Sequence, residues 1–221
     1  MTNTICEINV EDTTKPIDPI KKNLQKTGAV KVKKLLNDKR ALNLAKSLGN
    51  IVHNSNANEY GIVKLMHLKC VPPQKNHTGF TKSSLYPHTD RSPLEKPPNL
   101  IFLWCKIPEN KNGGLSVLVD CKGLAKDFSK NDPKSFNNLM IPGTTTFNDG
   151  IKSYKGAIFE KSIEKYMTVR FRHDSCVFFN GEILDSVLCF MKYIEKHSIF
   201  LKLSHDEGYI IQNNRWLHGR T

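Results

Sequence analysis

His88 and Asp90 stand two residues apart in Leu85-Tyr86-Pro87-His88-Thr89-Asp90-Arg91-Ser92. On a β-strand, side chains i and i+2 point to the same face, so an imidazole nitrogen and a carboxylate oxygen can converge on one point. That donor pair suits a divalent first-row metal. Two His and one carboxylate with open positions form the ligand set of non-haem iron. A third ligand must come from a distant part of the chain. Residues 208–220 read as a turn, then a strand, then His218. His88, Asp90 and His218 are therefore the candidate metal ligands and the candidate catalytic centre. Taken alone, His-x-Asp arises by chance, and the competing reading is a surface turn with an incidental His.

Two further stretches sharpen the choice. Gly113-Gly114-Leu115-Ser116 follows the His-x-Asp pair, and His218 lies within Asn214-Arg215-Trp216-Leu217-His218-Gly219-Arg220. With these, the sequence resembles the taurine dioxygenase (TauD/TfdA-like) family of Fe(II)/2-oxoglutarate-dependent oxygenases, over residues 79–120 and again over 208–220. The resemblance implies a double-stranded β-helix, or jelly roll. It also implies that 2-oxoglutarate takes two of the open iron positions and O2 the last. Oxidative decarboxylation to succinate and CO2 then yields an oxidant that attacks an unactivated C–H bond, ordinarily to hydroxylate it. Related halogenases have a small residue where Asp90 stands, so the carboxylate favours oxygenation.

The same resemblance assigns roles around the metal. Ser116 matches a Thr whose hydroxyl helps bind the cosubstrate carboxylate; a strand-edge Ser bonded to backbone is the equal alternative. Gly113 and Gly114 read as turn residues. The family anchors the far carboxylate of 2-oxoglutarate with an Arg, because a guanidinium matches a carboxylate at two points. That Arg is expected on a strand beyond Thr221, with Arg220, two residues from His218, as the substitute. For substrate, Arg91 and the pair Arg172 and Asp174 are candidates for holding a zwitterion, against the plainer reading of a solvated charged face at Arg170, Arg172 and Asp174. Tyr86 and Trp216 flank the ligands and are expected to pack behind them.

The elements that must position these residues follow from pattern. With 221 residues the chain can build one substantial core, and it reads as a single oxygenase domain over 1–221 that lacks its last strand. Residues 1–20, with Pro16 and Pro19, read as a polar arm or short strand. Strands are expected at 29–32, 61–68, 99–105, 115–119, 167–179, 200–203 and 209–212. His67, alone in the second of these, reads as structural. The apolar run at 99–105 reads as a buried strand. Residues 71–84 and 110–114 read as loop and turn, residues 141–165 as a loop or strand pair and a candidate lid, and 204–208 as a hairpin turn. Helices are expected at 40–48, capped by Asn37 or Asp38 and stopped by Gly49, and at 123–128, 133–139 and 182–196. In the last, Leu184, Val187, Leu188, Met191 and Ile194 would form the buried stripe. The sum is a mainly β chain with flanking helices (α+β) and a jelly-roll core.

Composition narrows the partners. The net charge of +12 comes from dispersed lysines with no interleaved aromatics, which reads as surface bias rather than a nucleic-acid footprint. No apolar run is long enough for a membrane helix, and the first residues lack the pattern of a signal peptide. The six Cys are scattered without a C-x-x-C pair, as expected of reduced thiols in the cytoplasm. The resulting expectation is a cytoplasmic hydroxylase of a small molecule, such as an amino acid or its derivative. The alternatives are an oxygenase of nucleic acid or protein, and a non-catalytic jelly-roll metal binder.

Overall fold

Residues 5–10, 17–52, 54, 56–65, 84–108, 114–161 and 166–221 are described by the computed structural model. The first half supplies β1 (Glu7–Asn9), α1 (Ile17–Thr27), β2 (Ala29–Lys33), α2 (Asp38–Leu48), β3 (Leu85–His88), β4 (Leu100–Cys105) and β5 (Ser116–Asp120). The second half supplies α3 (Cys121–Asn131), α4 (Pro133–Asn138), β6 (Thr145–Asn148), β7 (Ser153–Gly156), β8 (Phe159–Lys161), β9 (Met167–Val169) and β10 (Val177–Phe179). The chain closes with α5 (Leu184–His197), β11 (Ile199–Leu201), β12 (Glu207–Gln212) and β13 (Trp216–Arg220).

Two four-stranded sheets carry the architecture, in the orders β1-β2-β12-β4 and β11-β5-β13-β3. Strand alternation sorts their side chains. Ala29, Tyr209 and Ile211 of the first sheet share an apolar cluster with Leu118 and Trp216 of the second. On the opposite face of the first sheet, Val30, Val32 and Ile210 meet Ile20 and Leu24 of α1 and Ala41 and Leu44 of α2. On the opposite face of the second, Val119 and Leu217 meet Leu124 and Phe128 of α3 and Phe190 and Ile194 of α5. Each fully buried Val, Leu, Ile or Phe among them contributes about 1.5–3 kcal/mol. His218 follows the alternation: Leu217 faces the helices, so His218 faces the space between the sheets.

Local chemistry explains the ends of the elements. The Asn37 side chain accepts from the Arg40 N–H and opens α2, and the Gly49 N–H closes it on the Ala45 carbonyl. Asp120, the last residue of β5, caps α3 by accepting from the Lys122 N–H. The hairpin of β6 and β7 turns on Asn148 and Asp149, whose carboxamide and carboxylate oxygens accept from the Gly150, Ile151 and Lys152 N–H groups. It pairs Thr145 with Gly156 through Asn148 with Ser153, as one of the two readings of 141–165 expects. Asp149, Ile151 and Lys152 at its tip line the same large cavity as His88, Asp90 and His218.

Several expectations are corrected. The first segment does hold a short strand, β1, but residues 17–20 already belong to α1: Pro19 lies in its first turn, where a missing N–H costs nothing, and Ile20 and Leu24 bury one face. Residues 61–65 form no strand; the rest of that expected strand, with His67, the loop at 71–83 and Gly113 lie outside the described residues. β4 is half-buried throughout and, among the described residues, is the last strand of its sheet. The expected strand at 167–179 breaks into β9 and β10, which pair with different partners. Residues 204–208 are not a hairpin turn: β11 pairs with β5, while β12 pairs with β2 and β4, so the chain crosses between sheets there. In α5 the buried face is Ser186, Val187, Phe190 and Ile194, and Leu184 and Leu188 are 48% and 58% exposed. The Phe190 ring decides this rotation, since it packs at 5.0 Å from both Phe159 and Phe171.

Candidate metal centre

His88 ends β3 and His218 sits in β13, and the two are direct cross-strand partners in an antiparallel pair. Their register comes with an irregularity. From His218 to Arg220, β13 advances two residues while β3 runs three, from His88 back to Leu85. The extra residue bulges at Tyr86-Pro87, where proline has no N–H to lose. Gly219 faces that bulge: a Cβ there would lie 2.5 Å from the Leu85 carbonyl oxygen and 2.9 Å from the Pro87 nitrogen.

The two imidazoles are buried, and each is fixed through Nδ1. His88 Nδ1–H donates to the Tyr86 carbonyl at 3.0 Å. A carbonyl can only accept, so the neutral ring presents a lone pair at Nε2. His218 Nδ1 is 3.3 Å from the Tyr209 hydroxyl, and His218 Nε2 is buried without a hydrogen-bond partner among the described residues. Asp90 stands between them, with Oδ1 3.5 Å from His88 Nε2 and Oδ2 3.6 Å from His218 Nε2. These distances are too long for good hydrogen bonds. They approach the spacing of donors sharing one ion, since ligands about 2.1 Å from a metal and at right angles are ~3 Å apart. One ligand atom from each residue lies within 4.8 Å of the others. An orphaned buried nitrogen, a second imidazole and a hard oxygen fit Fe(II).

The Asp90 carboxylate is suited to the charge of a cation. Burial opposes its ionisation, yet His218 and His88 hold its carboxyl well below the usual carboxylate range. Its side chain is 40% exposed, and that surface faces the cavity. Thr89, between the ligands, turns away and is bolted to the far side. Its N–H donates to the Phe171 carbonyl at 2.7 Å, and its hydroxyl accepts from the Phe171 N–H at 3.1 Å. The Asp90 main chain is held by the Asn213 carboxamide.

The remaining sequence candidates are distributed around this centre. Ser116 and Arg220 are Cα partners across β5 and β13, and both line the cavity. Tyr209 sits among them: burial pushes its phenol up and Asp90 adds to that, while Ser116 and Arg220 pull it down. Arg172 and Asp174 line the same cavity and form a bidentate ion pair, Nε to Oδ1 at 2.8 Å and the terminal nitrogen to Oδ2 at 2.5 Å. Their side chains are 17% and 21% exposed, so the expected solvated face is instead a mostly buried pair. Arg170 leaves them. Its guanidinium donates to the carbonyls of Ser92, Leu94 and Glu95 and stacks on Tyr154, tying down the turn after Asp90. Arg91 lines the cavity with a left-handed backbone (φ 56°), and its Nε is buried without a partner among the described residues. That backbone costs about 1 kcal/mol.

Tyr86 reaches the centre only through its carbonyl; its ring packs on Phe171 and His173. Trp216 packs between the sheets in the cluster that holds Tyr209, and its Nε1–H donates to the Thr27 carbonyl. Sequence reasoning passed over Tyr209, Thr89 and Asn213. Residues 209 and 211 alternate to one face, but nothing local shows that this face meets the two metal-bearing segments.

Comparison with known proteins gives a consistent frame. The family model described as taurine catabolism dioxygenase TauD, TfdA family matches residues 7–221. No curated protein matches the chain. Among solved structures, PvcB from Pseudomonas aeruginosa is similar at 16% identity and TM-score 0.65, over 93% of this chain and 74% of that one. A second PvcB structure is described as an Fe, alpha-ketoglutarate dependent oxygenase from an isonitrile synthetic pathway. Asparagine oxygenase in complex with Fe(II), 2S,3S-3-hydroxyasparagine and succinate is similar at 12% identity and TM-score 0.69, over 93% of this chain and 72% of that one. The non-heme iron oxygenase OrfP, in complex with (3S)-hydroxy-L-Arg, is similar at 12% identity and TM-score 0.67, over 92% and 73%. At these identities the likeness is one of fold.

Proposed function

The chain belongs to the taurine catabolism dioxygenase TauD, TfdA family, and from that premise we propose that His88, Asp90 and His218 hold the iron of an oxygenase that hydroxylates an amino acid or a molecule derived from one. The enzyme is an Fe(II)- and 2-oxoglutarate-dependent dioxygenase with O2 as the further cosubstrate. The two large sheets form its jelly roll within a single oxygenase domain. What supports the ligand assignment above all is the orphaned His218 Nε2 facing Asp90 beside a second imidazole whose tautomer is set by a carbonyl.

When bound, iron with 2-oxoglutarate and O2 supplies the oxidant for an unactivated C–H bond, leaving succinate and CO2. The chain's own residues do the rest. His88 and His218 keep their Nδ1 protons engaged and offer Nε2 lone pairs. Asp90 remains a carboxylate across the working pH range. Arg220 and Ser116, adjacent across β5 and β13, receive the cosubstrate carboxylate. Arg172 and Asp174 offer a cation and an anion side by side, the complement of an α-amino acid; Arg91 adds a second cation for a carboxylate. Asparagine oxygenase and OrfP each have a hydroxylated amino acid bound, which favours that substrate class here. Among the described residues Cys6, Cys105, Cys121, Cys176 and Cys189 form no disulfide, and no helix is long and apolar enough to cross a membrane. The free thiols suit a reducing cytoplasm.

The test is anaerobic loading with Fe(II), then addition of O2, 2-oxoglutarate and a panel of amino acids. The expected result is succinate release with the gain of one oxygen on a panel member, both lost in His218→Ala. Iron-loaded protein that forms no succinate would overturn the reading.

A further inference from the structure

Asp90 lies two residues past the end of β3, and no strand among the described residues pairs with its backbone. The Asn213 side chain takes the place of one. Its carboxamide oxygen accepts from the Asp90 N–H at 2.8 Å, and its NH2 donates back to the Asp90 carbonyl at 2.9 Å. The second NH2 proton goes to the Pro98 carbonyl at 3.0 Å. Asn213 is 2% exposed, and both of its donors are used. A grip on both backbone groups of one residue fixes its position and also its rotation, and so the direction of its Cα–Cβ bond.

That rotation matters here. The next residue, Arg91, is left-handed and the chain reverses there, so Asp90 sits where the backbone changes course. Its two carboxylate oxygens nevertheless stand almost equally far from the two imidazoles, at 3.5 and 3.6 Å. The grip comes from just beyond β12, four residues after Tyr209, the residue that holds His218. Tyr209 lies within β12 and Asn213 in the turn that directly follows it. One segment therefore orients two of the three ligands, one through a phenol and the other through a carboxamide.

We propose that Asn213 is the positioning residue for the metal-binding carboxylate, aiming Asp90 between His88 and His218 through its two backbone bonds. The proposal rests on the metal reading above. Aspartate at 213 keeps the shape and the acceptor but has no donor for Asp90 or Pro98; alanine removes the grip altogether.

Cobalt(II), which resists oxidation and whose visible absorption reports its ligand geometry, is the probe. Wild type, Asn213→Asp, Asn213→Ala and Asp90→Ala are titrated with Co(II) by calorimetry and absorption, well below their melting temperatures. Both Asn213 variants are expected to bind about 10–100-fold more weakly, with an altered spectrum. Folded variants with wild-type affinity and spectrum would reduce Asn213 to a structural residue and overturn the proposal. Wild-type binding by Asp90→Ala would instead overturn the metal reading itself. Should the alanine variant fail to fold, the aspartate variant decides. Amide exchange in the wild-type protein adds a check without substitution: the Asp90 N–H is expected to be protected, and exchange as fast as that of an exposed amide overturns the grip.

Discussion

His88 and His218 face each other across β3 and β13 with ring centroids 4.6 Å apart and planes inclined by 30°. Strand register, rather than flexible side-chain reach, sets that separation, and the register depends on the bulge opposite Gly219. A methyl group at 219 would meet the backbone atoms of Leu85 and Pro87, which cannot rotate away as a side-chain tip would. Gly219→Ala is therefore expected to push β3 off β13 and part the imidazoles. Overpacking of this kind costs about 1–3 kcal/mol. Thermal melting should show that loss, and calorimetry should show at least a tenfold weaker Fe(II) or Co(II) affinity. An alanine variant with unchanged affinity would place the origin of the ligand spacing elsewhere.

Tyr209 is fully buried, and its hydroxyl is the partner of His218 Nδ1. Tyr209→Phe removes one oxygen and keeps the ring that packs between the sheets. The imidazole then loses the partner that can accept from Nδ1–H and so favour an open Nε2 for the metal. Metal affinity is expected to drop about 10–100-fold. The unpaired buried nitrogen should cost about 1–3 kcal/mol of stability. Parallel metal titrations and chemical denaturation separate the two effects, and equal metal affinity would remove Tyr209 from the site.

Side-chain type and short-range spacing made part of this protein readable from its sequence. Two positions two residues apart share a strand face, which is enough to pair His88 with Asp90. Asn37 and Gly49 announce the ends of α2 through hydrogen bonds that span at most four residues. What stayed hidden depends on which strands become neighbours. β12 separates β2 from β4, although more than a hundred residues lie between β4 and β12. Nothing near Asn213 indicates that Asp90 will lie beside it. α5 has apolar residues over much of its circumference, so its sequence admits more than one buried stripe, and the aromatic rings on α3, β8 and the stretch after β9 choose between them.

The Arg172–Asp174 pair carries a pH signature. Burial disfavours the Asp174 carboxylate, but Arg172 and the Cys176 N–H overcome this and hold its carboxyl below the usual range. Its folded value therefore lies below the unfolded value of about 3.9. The stabilisation is fully present above the unfolded value and is lost as pH falls through the folded one. Asp174→Asn is expected to be about 1–3 kcal/mol less stable than wild type at neutral pH. Denaturant titrations at decreasing pH should bring the two proteins together as the folded carboxyl takes up its proton. A gap that is constant with pH would mean that the carboxylate's charge contributes nothing.

Arg220 carries the last prediction, because it lies two residues beyond His218 and directly across from Ser116. Burial lowers its guanidinium below the ordinary value and the Tyr209 phenol partly restores it, so at neutral pH it remains a cation beside the metal centre. A charge-assisted bond to a carboxylate contributes about 1.5–3 kcal/mol, which corresponds to about 10–100-fold in affinity. Arg220→Gln is therefore expected to raise KM for 2-oxoglutarate by that factor, with a smaller change in kcat, because the bond is the same in the ground and transition states. Ser116→Ala removes one neutral donor and should raise it only a few-fold. Arg220→Lys should recover part of the loss, since a point charge cannot make the two-point contact of a guanidinium. These constants come from succinate release at varied 2-oxoglutarate. A glutamine variant with wild-type KM would show that the far carboxylate is held by another cation, with Arg91 the next to substitute because it too lines the cavity.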